Sequence, residues 1–287
     1  AAEPDIAFVL DGAGAIAWQG DIVARLAAGE TALAPRVDLL TADFLDGALR
    51  DLVRRRLEEL VRATVGRALK PLLAALAVPV AAAGRGLLFR LGETLGTLDA
   101  GQGSALVAGL DPADRRLLTR AGIRFGTETI YVAGALKPVS VAMRGLLWSV
   151  HAGASLPPPL PPPGRISMPA AAFGSDTYAE AIGYRITGPY GIRVDRLEQL
   201  AVALRQRART RGGFVPEPAL AASVGVPAVD LPAILSALGY RGIVGDGVQH
   251  FVPLPRRARR NSGPKPPAPP IAAGHPFARL KELEFDR

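Results

Sequence analysis

The chain is 287 residues long, 49% hydrophobic and 21% charged, with 34 Lys and Arg against 26 Asp and Glu. The length exceeds one average domain of roughly 100 to 150 residues, so two or three lobes with real cores are expected. The absence of cysteine excludes disulfides, thiolate zinc sites, iron–sulfur clusters and a thiol nucleophile, and it is compatible with a reducing, cytoplasmic setting.

The net charge of +8 favours a polyanionic partner without fixing a fold. It is unevenly placed. From Ala1 to Asp51 nine acids stand against three Arg, so the basic excess follows Asp51. The acidic N-terminus has no apolar h-region, so no signal peptide is expected before Ile6. Ala1 is not an initiator methionine, and a longer parent chain is expected. The longest apolar run, Pro71 to Gly84, falls far short of the ~20 residues that span a bilayer. It reads as buried helix, and no membrane contact is expected.

In chain order, residues 1–40 form a β-hairpin and connector. Ile6 to Leu10 and Ala15 to Trp18 are β-like runs across Asp11-Gly-Ala-Gly14, and Asp21 caps a short helix over Ile22 to Leu26. A helical lobe follows over 41–155. Its clearest helix carries Leu49, Leu52, Val53, Leu57, Leu60, Val61, Val65, Leu69 and Leu72 at steps of three and four. A second helical zone, Ala82 to Leu98, is interrupted by glycines. A third opens at Asp111-Pro112, an N-cap with proline at the first helical position, and stops near Gly122. Ile123 to Val132 is strand-like, and Ser140 to Val150 is helical.

Leu156 to Pro163 reads as polyproline II, a semi-rigid connector within the linker 156–164. Residues 165–255 then read as a winged helix-like module. Asp195 to Pro253 gives helix, helix, turn, helix and hairpin in that order. Leu220 and Val224 share one face of a short helix, and Gly225 supplies the residue most tolerant of positive φ. Asp230 is the expected N-cap of the next helix, Pro232 lies in its first turn, and Leu231, Ile234, Leu235 and Leu238 recur at helical spacing. Gly239 stops it. Gly245-Asp-Gly247 between two apolar runs marks a hairpin wing. Between Val226 and Tyr240 there is no Arg, Lys, Asn or Gln, so the second helix lacks the side chains that read base edges.

Residues 256–287 form a basic, Pro-rich tail whose composition cannot bury enough apolar surface to order itself. Arg256, Arg257, Arg259 and Arg260 are candidate phosphate contacts or a solvated linker. Phe277, Leu280 and Leu283, at spacing three near the end, make a short amphipathic cassette suited to docking on a protein. Three segments, Arg120 to Arg124, Glu180 to Arg185 and Ser236 to Arg241, each end a helix in Gly and enter a β-like run carrying an Arg, as C-cap geometry predicts.

Catalytic signals are sparse. Gly12-Ala-Gly-Ala-Ile-Ala17 imitates a dinucleotide fingerprint, but Trp18-Gln-Gly20 interrupts the helix such a site needs at the pyrophosphate. No phosphate loop and no Gly-x-Ser-x-Gly elbow occurs. His151, His250 and His275 are isolated from one another and from acid pairs, so neither a catalytic residue nor a metal site is expected.

Asp11-Gly-x-Gly-x-Ile-x-Trp18, Val23-Ala-Arg-Leu26, Pro35-Arg-Val-Asp-Leu-Leu40, Gly122-Ile-Arg-Phe-Gly126, Ile130-Tyr-Val132, Leu136-Lys-Pro138 and Pro276-Phe-Ala-Arg-Leu280 together resemble the C-terminal region of bacterial relatives of the mitochondrial degradosome RNA helicase. The block from Arg120 to Pro138 is the most extended. The resemblance implies a superfamily 2 helicase whose ATP- and magnesium-binding motor domains lie upstream of Ala1, with no cofactor held in this chain. The polyproline run and the Arg-rich linker depart from that family's core.

The expected fold is therefore mainly α with small β-hairpins, an α+β helical lobe followed by a winged helix-like module and a tail. The expected function is non-specific binding of a single strand, RNA ahead of DNA, beside the helicase core in cis. Candidate contacts are Arg124, Lys137, Arg185, Arg193 and Arg241 with the cluster Arg256 to Arg260, and Tyr131, Tyr184, Tyr190 and Tyr240 are the candidate stacking platforms. Two alternatives are a scaffold that docks a nuclease or ribosomal partner and a winged-helix DNA regulator. The missing phosphate loop predicts no ATP hydrolysis by this chain alone, and saturable binding of labelled ATP in equilibrium dialysis would contradict it.

Overall fold

In the computed structural model the described residues are 8–40, 46–154, 158–209, 213–245 and 248–254. The chain opens with an antiparallel sheet of β1 (Phe8–Leu10), β2 (Ala15–Trp18), β3 (Asp21–Ala27) and β4 (Arg36–Leu39), paired in that order. Asp11 Oδ1 accepts from Ala13 N and Ala15 N at 2.9 and 2.8 Å, closing the first turn. At the second turn Gln19 and Gly20 both have positive φ, 51° and 97°, the hairpin geometry that matches strand twist. That two-residue turn returns the chain directly onto β2. The helix expected after Asp21 is thus a central strand, paired on both edges, and residues 8–39 hold four strands rather than one hairpin. The fingerprint-like Gly14 likewise leads into strand β2, with no helix N-terminus at hand for a pyrophosphate.

The next lobe packs helices around a small sheet. α1 (Gly47–Ala68) is capped by Asp46, whose carboxylate accepts from Leu49 N at 2.7 Å. It buries Leu57, Val61 and Val65, while Leu49 and Leu52, the start of the expected stripe, stay exposed. The stripe does not run unbroken to Leu72. Pro71 cannot donate and crowds the preceding turn, so the helix stops at Leu69 and α2 (Lys70–Leu76) starts with Pro71 in its first turn. After α3 (Ala82–Glu93) come β5 (Thr97–Asp99), α4 (Ala100–Ala108), α5 (Pro112–Arg120), β6 (Ile123–Phe125), β7 (Thr129–Val132) and α6 (Pro138–His151). The three strands form an antiparallel sheet in the order β5-β7-β6. Its inner face and the N-terminal sheet share one core, from Ile16 and Ala24 through Leu57, Leu72 and Leu91 to Ile130 and Leu147. Asp111 caps α5, accepting from Asp114 N at 2.7 Å, as its sequence predicts.

Pro158 to Pro163 does not hang free. Pro161 is buried, and two tyrosine hydroxyls hold the segment at its ends. Tyr178 donates to the Pro158 carbonyl at 2.8 Å and Tyr184 to the Arg165 carbonyl at 2.5 Å. Both tyrosines belong to a bridging layer of β8 (Ser167–Pro169), α7 (Asp176–Ala181), β9 (Tyr184–Thr187) and β10 (Tyr190–Arg193), with strand order β8-β10-β9. Its core of Phe173, Tyr178, Ile182 and Tyr184 packs on Val141 and Trp148 of α6. The polyproline run is therefore a strap laid along the first lobe.

The last core joins α8 (Val194–Arg207), α9 (Pro218–Ser223), α10 (Leu231–Ala237) and the hairpin β11 (Tyr240–Gly245) with β12 (Val248–Pro253). Gly225, at φ 68°, turns α9 toward α10. Asp230 stands at the N-cap position of α10, as expected, but its side chain makes no cap hydrogen bond. Its Oδ2 accepts the Tyr190 hydroxyl at 2.7 Å instead, because β10 lies beside it. Gly122, Gly183 and Gly239 follow α5, α7 and α10 at φ of 95°, 84° and 80°, so the three helix-to-strand joints share one geometry. Asp246 and Gly247, the expected wing turn, and the tail 256–287 lie outside the described residues. Among the described residues no helix is long and apolar enough to cross a membrane.

Leu235 is fully buried among Leu231, Ile234 and Leu238. Leu235→Ala is expected to cost roughly 2 to 5 kcal/mol, read as a lower urea midpoint; an unchanged midpoint would show that this core adds nothing to global stability.

Candidate nucleic-acid interface

The groups that fix the surface geometry are buried charges. Arg144 of α6 is wholly inaccessible, and among the described residues it makes no ion pair. Its Nη1 donates to the Ala135 carbonyl at 3.0 Å, and its Nη2 to Thr97 Oγ1 at 2.7 Å and to the Glu180 carbonyl at 3.4 Å. Those carbonyls end the short turn Ala133–Leu136 and α7, where aligned peptide dipoles leave negative ends for a cation. Burial pulls its pKa down to about 9, so it remains charged at neutral pH.

Glu198 of α8 reaches into the turn between β6 and β7. Its carboxylate accepts from Thr127 N at 2.6 Å, Glu128 N at 2.8 Å, Thr129 N at 2.6 Å and Thr129 Oγ1 at 3.0 Å. A Cβ on Gly126 would come within 2.2 Å of the Glu198 carboxyl carbon, so the turn needs glycine where the carboxylate enters. Beside it Arg185 pairs with Asp99 at 2.5 Å and donates to the Glu128 carbonyl. Asp99 also caps α4 through Gly101 N and Gln102 N. This junction holds α4, the β6–β7 turn, β9 and α8 together. Glu198 was not among the expected site residues; nothing local in α8 marks it, since its donors lie about 70 positions earlier.

The expected contacts divide accordingly. Arg185 is committed to the junction, and Arg193 is chelated by Asp195 at 2.7 and 2.9 Å, which raises its pKa further. Arg124, Lys137 and Arg241 are exposed, Arg124 donating to the Thr119 carbonyl at 3.0 Å. The tyrosines do not form open platforms. Tyr131, Tyr184 and Tyr240 are only 8, 4 and 5% exposed, and Tyr190 is tied to Asp230. The cause is strand alternation. In Tyr184-Arg185 and Tyr240-Arg241, neighbours on one strand, the ring turns inward as the arginine turns outward. Tyr131 faces Arg124 across β6 and β7, and burial raises its pKa. Arg256, Arg257, Arg259 and Arg260 lie outside the described residues.

Three further arginines beside the expected Arg124 were absent from the expected sites. Arg115, Arg116 and Arg120 on α5 border a shallow pocket of about 500 Å³ with Pro112 and Thr119. Arg124 stands beside it on β6. The Arg115 guanidinium lies 4.7 Å from the centroid of the Phe125 ring. Among the described residues none of these four arginines has an ion pair. The signal was present as Arg115-Arg116-x-x-x-Arg120, but only the folded helix shows that no acid turns toward it.

Among the described residues no group of three or more His, Asp or Glu is placed to hold a metal ion. Comparison with protein-family models, with curated proteins and with solved structures gives no match.

Removing the Glu198 charge tests the junction. Glu198→Gln keeps the shape but points amide hydrogens at backbone donors, and each buried donor left unsatisfied costs about 1 to 3 kcal/mol. The expected result is a lowered urea midpoint with faster amide exchange at Thr127 to Thr129; unchanged exchange there would show that the contact does not hold the turn.

Proposed function

We propose that this chain is the C-terminal accessory region of an ATP-dependent superfamily 2 helicase, which holds a single strand without regard to sequence and guides it to motor domains outside these residues. α8, α9, α10 and the β11–β12 hairpin are read as a winged helix used for placement rather than base recognition. The observation that carries the reading is the separation of cation from groove-reading helix. α10 exposes Ala233, Ser236 and Ala237, while the β9–β10 turn approaches its backbone so closely that a Cβ on Gly188 would sit 3.1 Å from the Ala233 carbonyl oxygen. Exposed positive charge without an ion pair among the described residues lies elsewhere, on Arg124, Lys137 and Arg241 among others, and in sequence on the cluster Arg256 to Arg260. Backbone phosphates are what such a surface attracts, and phosphate contacts carry no base information.

This arrangement weighs against a winged-helix DNA regulator. A protein-docking scaffold is the remaining alternative, supported by the amphipathic Phe277 to Leu283 segment.

Single-strand affinity is expected to fall linearly with salt on a log–log plot, at about −0.7 per phosphate contacted. Replacing Arg256, Arg257, Arg259 and Arg260 together by Ala should weaken binding to oligouridylate and mixed-sequence strands alike without moving the melting temperature. Salt-indifferent affinity would favour the scaffold, and loss confined to one sequence would demand a base reader.

A further inference from the structure

We infer that the arginine face of α5 and β6, formed by Arg115, Arg116, Arg120 and Arg124, is a phosphodiester-binding site for a single strand; the inference rests on the accessory reading above and gives it a location. The electrostatic cost of the cluster is the first ground. Arg116 and Arg120 are one helical turn apart, a like-charge spacing that destabilises a helix, and Arg115 and Arg124 add to the same field. Ordinarily an acid one turn away would offset it.

Here both acids of the segment are turned elsewhere. Asp111 caps its own helix through Asp114 N at 2.7 Å, and the buried Asp114 accepts from Ala81 N at 2.8 Å, fastening α5 to the start of α3. The face is left with cations alone. Local structure accounts for some of them. Arg120 lies in the last turn, where the helix dipole favours a cation, and Arg115 gains from Phe125. Arg116 has neither reason. Among the described residues it makes no ion pair or ring contact and sits exposed at the pocket edge.

The geometry also suits the ligand. All four cations are arginines, whose planar forks grip phosphate oxygens in pairs. The Arg115 guanidinium lies over the Phe125 ring, 4.7 Å from its centroid, and guanidinium planes also stack on nucleobases in single-strand recognition. Arg124, anchored on the Thr119 carbonyl, continues the row from α5 onto β6. A repeating anion with stackable bases uses all of these features, whereas an acidic peptide uses only the charge.

The test uses the full chain and oligouridylate in fluorescence anisotropy, with melting temperature as the fold control. Arg116→Ala should not lower the melting temperature, since it relieves the like-charge pair, and should flatten the log–log salt slope by about 0.7, the value of one phosphate contact. Arg116→Glu with Arg120→Glu should lower affinity at least ~10-fold, equally for oligouridylate and oligothymidylate. If both variants bind with wild-type affinity and slope, the site is overturned while the accessory reading stands. If the wild type binds neither oligonucleotide at low salt, both fall. Should polyglutamate bind the wild type more tightly than oligouridylate and be lost in the same variants, the surface is an acidic-peptide dock and the phosphodiester assignment is overturned.

Discussion

Arg144 is the constraint on which the rest of the structure depends. A buried guanidinium is tolerable when its donors find acceptors, and here both terminal nitrogens do, while Nε has no partner among the described residues; the acceptors come from three separate places: the Ala133–Leu136 turn, Thr97 at the start of β5, and the end of α7. The cation therefore fixes the distance between the helical lobe and the bridging layer. Gly183 allows this closeness, since a Cβ there would lie 3.3 Å from the Arg144 Nη1 and 2.4 Å from Leu136. An apolar residue in its place could fill the space, but it would remove the donors that reach the Ala135 carbonyl and the Thr97 hydroxyl.

Glu198 plays the complementary part for the C-terminal module. Its carboxylate closes the β6–β7 turn with three backbone donors, so α8 cannot move independently of the sheet that carries Arg124. With Arg185 spanning Asp99 and the Glu128 carbonyl, the last module is coupled to the first lobe through hydrogen bonds to charged groups, which are stronger than neutral ones. The polyproline strap, stapled by Tyr178 and Tyr184, adds a third tie. The consequence for function is a rigid surface: the arginines of α5 and β6 stand in a fixed relation to the module that follows, so a strand lying on them would be presented in a fixed direction.

The cations and the rings thus have opposite fates. Arg241, turned outward by strand alternation, stays exposed while Arg185 is taken up by the junction, and the tyrosines beside both complete the cores. The single-strand surface proposed here relies on the arginines of α5 and β6, Arg115 over the Phe125 ring among them, rather than on open tyrosine faces. The uncharged α10, backed by the β9–β10 turn, acts as packing material for its module.

Local rules read from the sequence settled a good part of the fold. The proline and aspartate at the start of α5, the three glycines that end helices before strands, the apolar spacing of Leu231 to Leu238 and the Leu57, Val61 and Val65 face of α1 follow from backbone φ, capping and 3.6-residue periodicity, which act over a few residues. The same rules misread Asp21, because the turn at Gln19 and Gly20 sent Ile22 to Leu26 back along β2, and pairing partners on both sides outweighed a capping signal. They placed Asp230 at the start of α10 but not its carboxylate, which accepts from Tyr190 instead of capping the helix. What only tertiary structure decided are the long-range pairings: Glu198 with a turn about 70 residues earlier, Arg144 with three helix and strand ends, Asp114 with Ala81, and hence which arginines are neutralised and which are left to face a ligand. An arginine looks the same in sequence whether or not a carboxylate is folded against it, and only the packed chain fixes the distance between the two.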